Sequence, residues 1–216
     1  MGRPRLHDAE TRTELLRAAE ALVAKGGPDA VSVRGLAAKV GTTTRAIYSV
    51  FRDKDGLFRA LIHESFSKLL SAVNAVQLTD DPLEDLIRAG TEGFRRYALG
   101  YPNLMRFVFE GPALRDPAPE NQAIALEALQ VLRLRVERCA AAGIIPAEAV
   151  DTVTTAFHGL CLGLASTERG GCLPMPMGKQ PEPVWDAALR ALVTGFAGAK
   201  RPAGKPWPRS EWPTGR

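Results

Sequence analysis

The chain has 216 residues, 45% hydrophobic and 24% charged, with a net charge of +4 and a pI near 9.1. These totals fit an ordinary globular chain with room for a large core and exclude collagen-like, low-complexity and disulfide-stapled classes. The three cysteines (Cys139, Cys161, Cys172) have no CxxC spacing, the leading MGRPRLHDAETR has no apolar segment, and no apolar run reaches the ~18 residues of a membrane helix, so a reduced, cytoplasmic protein is expected.

Charge is unevenly distributed. Positions 1–54 carry ten Lys/Arg against six Asp/Glu, positions 55–199 thirteen against seventeen, and positions 200–216 five against one. A basic N-terminal module on an acidic body suits a polyanionic partner, although basic ends that merely aid solubility would give the same count.

Leu and Ala dominate and β-branched residues rarely alternate with polar ones, which predicts an all-α chain. Helix one starts near Asp8 as N-cap, carries Leu15, Ala19, Leu22 and Val23 on one face, and ends at Gly26-Gly27. Helix two is short, capped by Ser32 and closed by Gly41. Helix three spans about Thr43 to Phe51, and helix four begins after Asp53, an N-cap candidate, and runs to about Ala75. Helix five covers roughly Pro82 to Leu99, a short helix covers Pro102 to Phe109, and helix seven covers about Glu120 to Ala142. Helix eight runs from about Pro146 to Thr167 and helix nine from about Val184 to Gly198. EGPALRDPAPE and RGGCLPMPMGKQPEP read as loops, and KRPAGKPWPRSEWPTGR, with four prolines, reads as a disordered tail.

The stretch VRGLAAKVGTTTRAIYSVF has the spacing of a helix-turn-helix. Ala37 is small where two helices cross, Gly41 suits a left-handed turn, and Ile47 points back onto Leu36 and Val40. Thr43, Thr44, Arg45 and Tyr48 are then left facing outward on a recognition helix, where Thr can meet a thymine methyl and Arg can fork onto guanine. Tyr48 and Lys54 can reach phosphates, and Ser32, Arg34 and Thr42 flank the same face. Arg3 and Arg5, around Pro4, are candidates for a narrow minor groove from a flexible basic arm, residues 1–7; a merely solvated terminus is the alternative.

This region resembles the DNA-binding region of TetR-type transcriptional regulators. The residues that carry the resemblance are Leu36-Ala37, Gly41, Ile47, Tyr48, Phe51, Lys54, Asp55 and Leu57, and the triple threonine stands where a Val-Ser pair is frequent. The resemblance implies about nine helices: a helix-turn-helix domain at 1–54, a helical effector-binding and dimerisation domain at 55–199, and the tail at 200–216. It implies a homodimer on a pseudo-palindromic operator in double-stranded DNA, repression as the usual sign, and release by a small apolar or amphipathic effector. Phe157-His158-Gly159 is similar to the Trp-His-Gly signature of one subgroup, with phenylalanine replacing tryptophan.

In the body, Phe94, Tyr97, Met105, Phe109, Leu129, Leu132, Phe157, His158 and Cys161 are candidates for an effector pocket, against the plainer reading that they are core. Gly159 and Gly163, with Leu164, Leu189, Leu192 and Phe196, are candidates for the dimer interface, against internal packing only. His158 and Cys161 lack a third metal ligand. In TDDPLED, Asp81 as N-cap, Pro82 at N1 and Glu84 at N3 make a helix start rather than a metal motif. No HExxH, GxSxG or Walker loop occurs, so neither catalysis nor a cofactor is expected. The competing function is an all-α binding protein or enzyme using the body's cavity, with the helix-turn-helix serving a protein partner.

Overall fold

The computed structural model describes residues 5–110, 118–171 and 181–197, and among these no strand occurs. The order is α1 (Arg5–Gly26), α2 (Val33–Val40), α3 (Thr44–Phe51), α4 (Lys54–Asn74), α5 (Pro82–Arg88), α6 (Arg95–Gly100), α7 (Pro102–Met105), α8 (Pro119–Ala141), α9 (Val150–Arg169) and α10 (Glu182–Gly195). A π-helical segment, Ala89–Phe94, joins α5 to α6, so residues 82–100 form one continuous rod. A second, Arg106–Glu110, extends α7. The described residues thus make nine helical rods, in agreement with the expected all-α architecture.

Some expected boundaries move. Helix α1 starts at Arg5, so Asp8 is not its N-cap and residues 5–7 of the expected arm are helical; no breaker lies between them. Pro146 is followed by a 3-10 turn at Ala147–Ala149 before α9 begins. Helix α10 starts at Glu182, because Pro183 is tolerated in the first turn, where its missing N–H has no helical partner. The tail 200–216, most of both Pro/Gly loops, Arg3 and Cys172 lie outside the described residues.

One hydrophobic cluster runs from Leu15 to Val193. Its N-terminal part joins Leu15, Leu36, Ile47 and Leu57, each no more than 1% exposed, and burying each such side chain is worth ~1.5–3 kcal/mol. Its C-terminal part packs the 82–100 rod between α4 and the α9–α10 pair. Glycines permit that approach: a Cβ on Gly93 would meet the Val73 backbone at 3.0 Å, and one on Gly90 would meet the Leu189 side chain at 2.5 Å. Helix α10 is pinned by Trp185, which is fully buried and whose indole N–H donates to Glu168 Oε2 at 2.8 Å; Arg95 holds the same carboxylate at 2.7 Å. Asp81 caps α5 as its spacing predicts, accepting from the Glu84 N–H at 3.0 Å.

Candidate functional site: the helix-turn-helix face and an apolar cavity

Helix α2 starts where Ser32 Oγ accepts from the Gly35 N–H at 3.0 Å and ends at Gly41, whose φ of 73° is a left-handed conformation that glycine adopts without strain. Helix α3 starts two residues later, where Thr43 Oγ1 accepts from the Ala46 N–H at 3.1 Å. Leu36, Ala37 and Ile47 are buried between the two helices and fix their crossing. The outer side of α3 carries Arg45 and Tyr48, both exposed, Tyr48 by 49%. Arg34 is exposed at the start of α2, and Thr42 and Thr44 are half-buried at the turn.

Three of the expected contacts are partly committed elsewhere. The Thr43 oxygen is an N-cap acceptor, which leaves its O–H and one lone pair for another partner and fixes its rotamer, and Ser32 is in the same position. The Lys54 ammonium lies 5.3 Å from the Phe58 ring centroid. Helix α1 begins at Arg5, whose side chain, like all of Arg3, lies outside the described residues.

Behind this domain, α4, α8, α9 and the 82–100 rod enclose a cavity of about 320 Å³. Helix α4 supplies Phe66, Leu69, Leu70 and Val73, and α8 supplies Ala125, Ala128, Leu129, Val131 and Leu132. Phe94 and Phe109 close one side, and Thr155, Phe157, His158 and Cys161 of α9 close the other. The His158 ring is edge-on to Phe94, with centroids 6.2 Å apart, and lies 5.8 Å from Phe109. Burial holds its pKa below the ordinary histidine value, so the imidazole is neutral near pH 7. Burial likewise pushes the Cys161 thiol upward.

Two expected pocket residues do not line this cavity. Tyr97 is fully buried toward α4, and its hydroxyl shares a 2.5 Å hydrogen bond with Ser65 Oγ. Met105 is 1% exposed within the core. Sequence reasoning misses the α4 wall, because an apolar helical stripe reads identically whether it faces a neighbour or a void.

On α9, Gly159 and Gly163 face open space: a Cβ on either would meet nothing within 4 Å. They therefore do not serve packing within the described residues of the chain. Leu164 and Leu189, expected at a dimer interface, are instead core, at 8% and 0% exposure; Leu189 abuts Gly90 in the 82–100 rod. Leu192 and Phe196 are half-buried. Among the described residues no group of three His, Cys, Asp or Glu side chains comes together as a metal site, and no helix is long and apolar enough to cross a membrane.

Residues 15–61 match the family model of bacterial regulatory proteins of the tetR family, and residues 87–192 match a tetracyclin repressor-like C-terminal domain. The chain belongs to the TetR family. Solved TetR-like structures share its fold. A protein of unknown function from Rhodococcus sp. RHA1 is 24% identical, with a TM-score of 0.74, covering 87% of this chain and 95% of that one. The TetR family transcriptional regulator PfmR from Thermus thermophilus is 20% identical, with a TM-score of 0.66 and coverages of 83% and 96%. AibR, solved with isovaleryl coenzyme A and operator DNA, is 15% identical, with a TM-score of 0.66 and coverages of 84% and 97%. No protein with a curated description matches this TetR-family chain at a significant level.

Proposed function

We propose that this TetR-family chain acts as a homodimeric repressor that places α3 of each copy in successive major grooves of a pseudo-palindromic operator and lets go when a small molecule fills the cavity. The observation that carries the DNA reading is the division of α3: Ile47 and Phe51 are buried in the module, while Arg45 and Tyr48 stand free on the opposite side. Arg45 reads a base edge, and Tyr48, Thr44 and Lys54 set the register on phosphates. The second copy docks on the α9–α10 side, where Gly159 and Gly163 leave room for close helix approach. AibR, whose structure holds a ligand and operator DNA together, supports a ligand-controlled reading of the same fold. Ligand and operator are then linked, each changing the affinity for the other by the same factor.

The test is binding to the DNA flanking the chain's own gene at two salt concentrations, with excess non-specific competitor. Specific binding that survives competitor and weakens with salt is expected. Arg45→Ala should lose ~1–3 kcal/mol of specific binding with an unchanged melting temperature, and Tyr48→Phe should lose less. Full affinity in Arg45→Ala would remove the reason for placing α3 in the groove.

A further inference from the structure

The cavity's lining is sorted by chemistry in a way that narrows its ligand. Its α4 wall is hydrocarbon and aromatic, and on α8 it is opened by two small residues, Ala125 and Ala128. No charged side chain lines it among the described residues. Of its polar groups, the Thr155 hydroxyl already donates to the Asp151 carbonyl at 2.9 Å, and the Cys161 thiol is buried and protonated. His158, held between Phe94 and Phe109, has no hydrogen-bond partner among the described residues, so both its donor and its acceptor are uncommitted, whereas Thr155 can only accept. A neutral imidazole offers one donor and one acceptor, so it can receive from a hydroxyl or give to a carbonyl.

We propose that the cavity selects an uncharged, mainly hydrocarbon molecule of about a dozen non-hydrogen atoms with a single hydroxyl or carbonyl group, hydrogen-bonded to His158. The size follows from volume: a cavity of ~150 Å³ takes one benzene, and this one is about twice as large. The polarity follows from cost. An ionised ligand would lose its hydration with no counter-charge to replace it. A pure hydrocarbon would bury the imidazole nitrogens unpaired. The inference rests on the effector reading above and adds the ligand class to it.

Three probes of matched shape test it on the full chain at neutral pH by titration calorimetry: 1-naphthol, naphthalene and 1-naphthoate. Naphthol should bind about three- to ten-fold more tightly than naphthalene, the worth of one neutral hydrogen bond. Naphthoate should bind at least ~100-fold more weakly than naphthol. In His158→Leu the naphthol advantage should vanish while naphthalene binding persists. Naphthoate binding as tightly as naphthol, a naphthol preference that survives His158→Leu, or no binding of naphthol at millimolar concentration would each overturn the assignment. The wild-type series decides even if the variant does not fold. Adding naphthol to the protein–operator complex separates the two readings. Selective naphthol binding without DNA release upholds the ligand class and defeats the effector reading; DNA release with no selectivity among the probes does the reverse.

Discussion

Asn121 is 1% exposed, and among the described residues neither its amide nitrogen nor its amide oxygen has a hydrogen-bond partner. It precedes Ala125 and Ala128 by four and seven residues on α8, so it shares their stripe, one turn beyond the cavity. The ion pair between Arg59 and Glu120, at 3.4 Å, places this end of α8 beside the N-terminal half of α4, next to the DNA-binding module. An unpaired buried polar group costs ~1–3 kcal/mol. Leucine has nearly the shape of asparagine, removes that cost, and is the better helix former. Asn121→Leu should therefore stabilise the chain by about 2 kcal/mol. At ~2–4 °C per kcal/mol for a chain of this size, the melting temperature should rise by about 4–8 °C. The assay is reversible thermal unfolding followed by circular dichroism, with a urea midpoint that rises at unchanged slope. An unchanged or lowered melting temperature would refute the reasoning, since it would mean that the amide is satisfied by a buried water and that the substitution strands it.

Two further substitutions follow from neighbouring geometry. Gly159→Phe should leave the protomer folded, because nothing lies within 4 Å of the added Cβ, yet shift sedimentation from dimer toward monomer and weaken operator binding; wild-type sedimentation would count against α9 as the interface. Asp85 accepts from the Thr79 N–H and the Thr79 hydroxyl, both at 2.8 Å, and from Arg138; burial alone would raise its pKa, but these hydrogen bonds outweigh burial and hold it below the usual value. With the folded pKa depressed, its stabilising contribution is present above about pH 4 and is lost as pH falls through the folded value. Asp85→Asn should thus lower the urea midpoint at pH 7 and flatten its dependence on acid, whereas equal pH slopes in the two proteins would contradict the assignment.

Much of the DNA-binding module is legible because its constraints are local. Ser32, Gly41 and Asp53 act on backbone groups within a few residues, so residue type and spacing announce them. The caps also show a limit of that reading: Thr43 has the pattern of a base-reading side chain, yet its oxygen is bonded to the Ala46 N–H. Position in the body depends on partners distant in sequence. Leu164 and Leu189 lie on apolar stripes that read the same whether they face a second copy or the core, since which side of α9 and α10 turns inward depends on the 82–100 rod and on the fit of Leu189 against Gly90. Tyr97 falls on an aromatic stripe with Phe94, yet its hydroxyl finds Ser65 thirty-two residues away, and that pairing turns it out of the cavity.

Helix α4 is where the two halves of the molecule share residues, and its geometry sets how far a change in one reaches the other. Its first turns contribute Leu57 and Leu61 to the DNA-binding core, and its later turns form the cavity wall. Its C-terminal end is held by Arg135 of α8, which is 6% exposed and donates to the Val73 and Val76 carbonyls at 3.1 and 3.3 Å. A buried guanidinium bonded to two helix-end carbonyls is a costly arrangement to displace, so this end acts as the fixed point. Phe66 lies about 10 Å along the axis from Val73, and Leu57 about 24 Å, at 1.5 Å per residue. A rigid tilt that moves Phe66 by about 1 Å therefore moves Leu57, and the packed α3 with it, by on the order of 2 Å. A ligand that fills the cavity thus need shift its α4 wall only slightly to displace α3 by a larger amount.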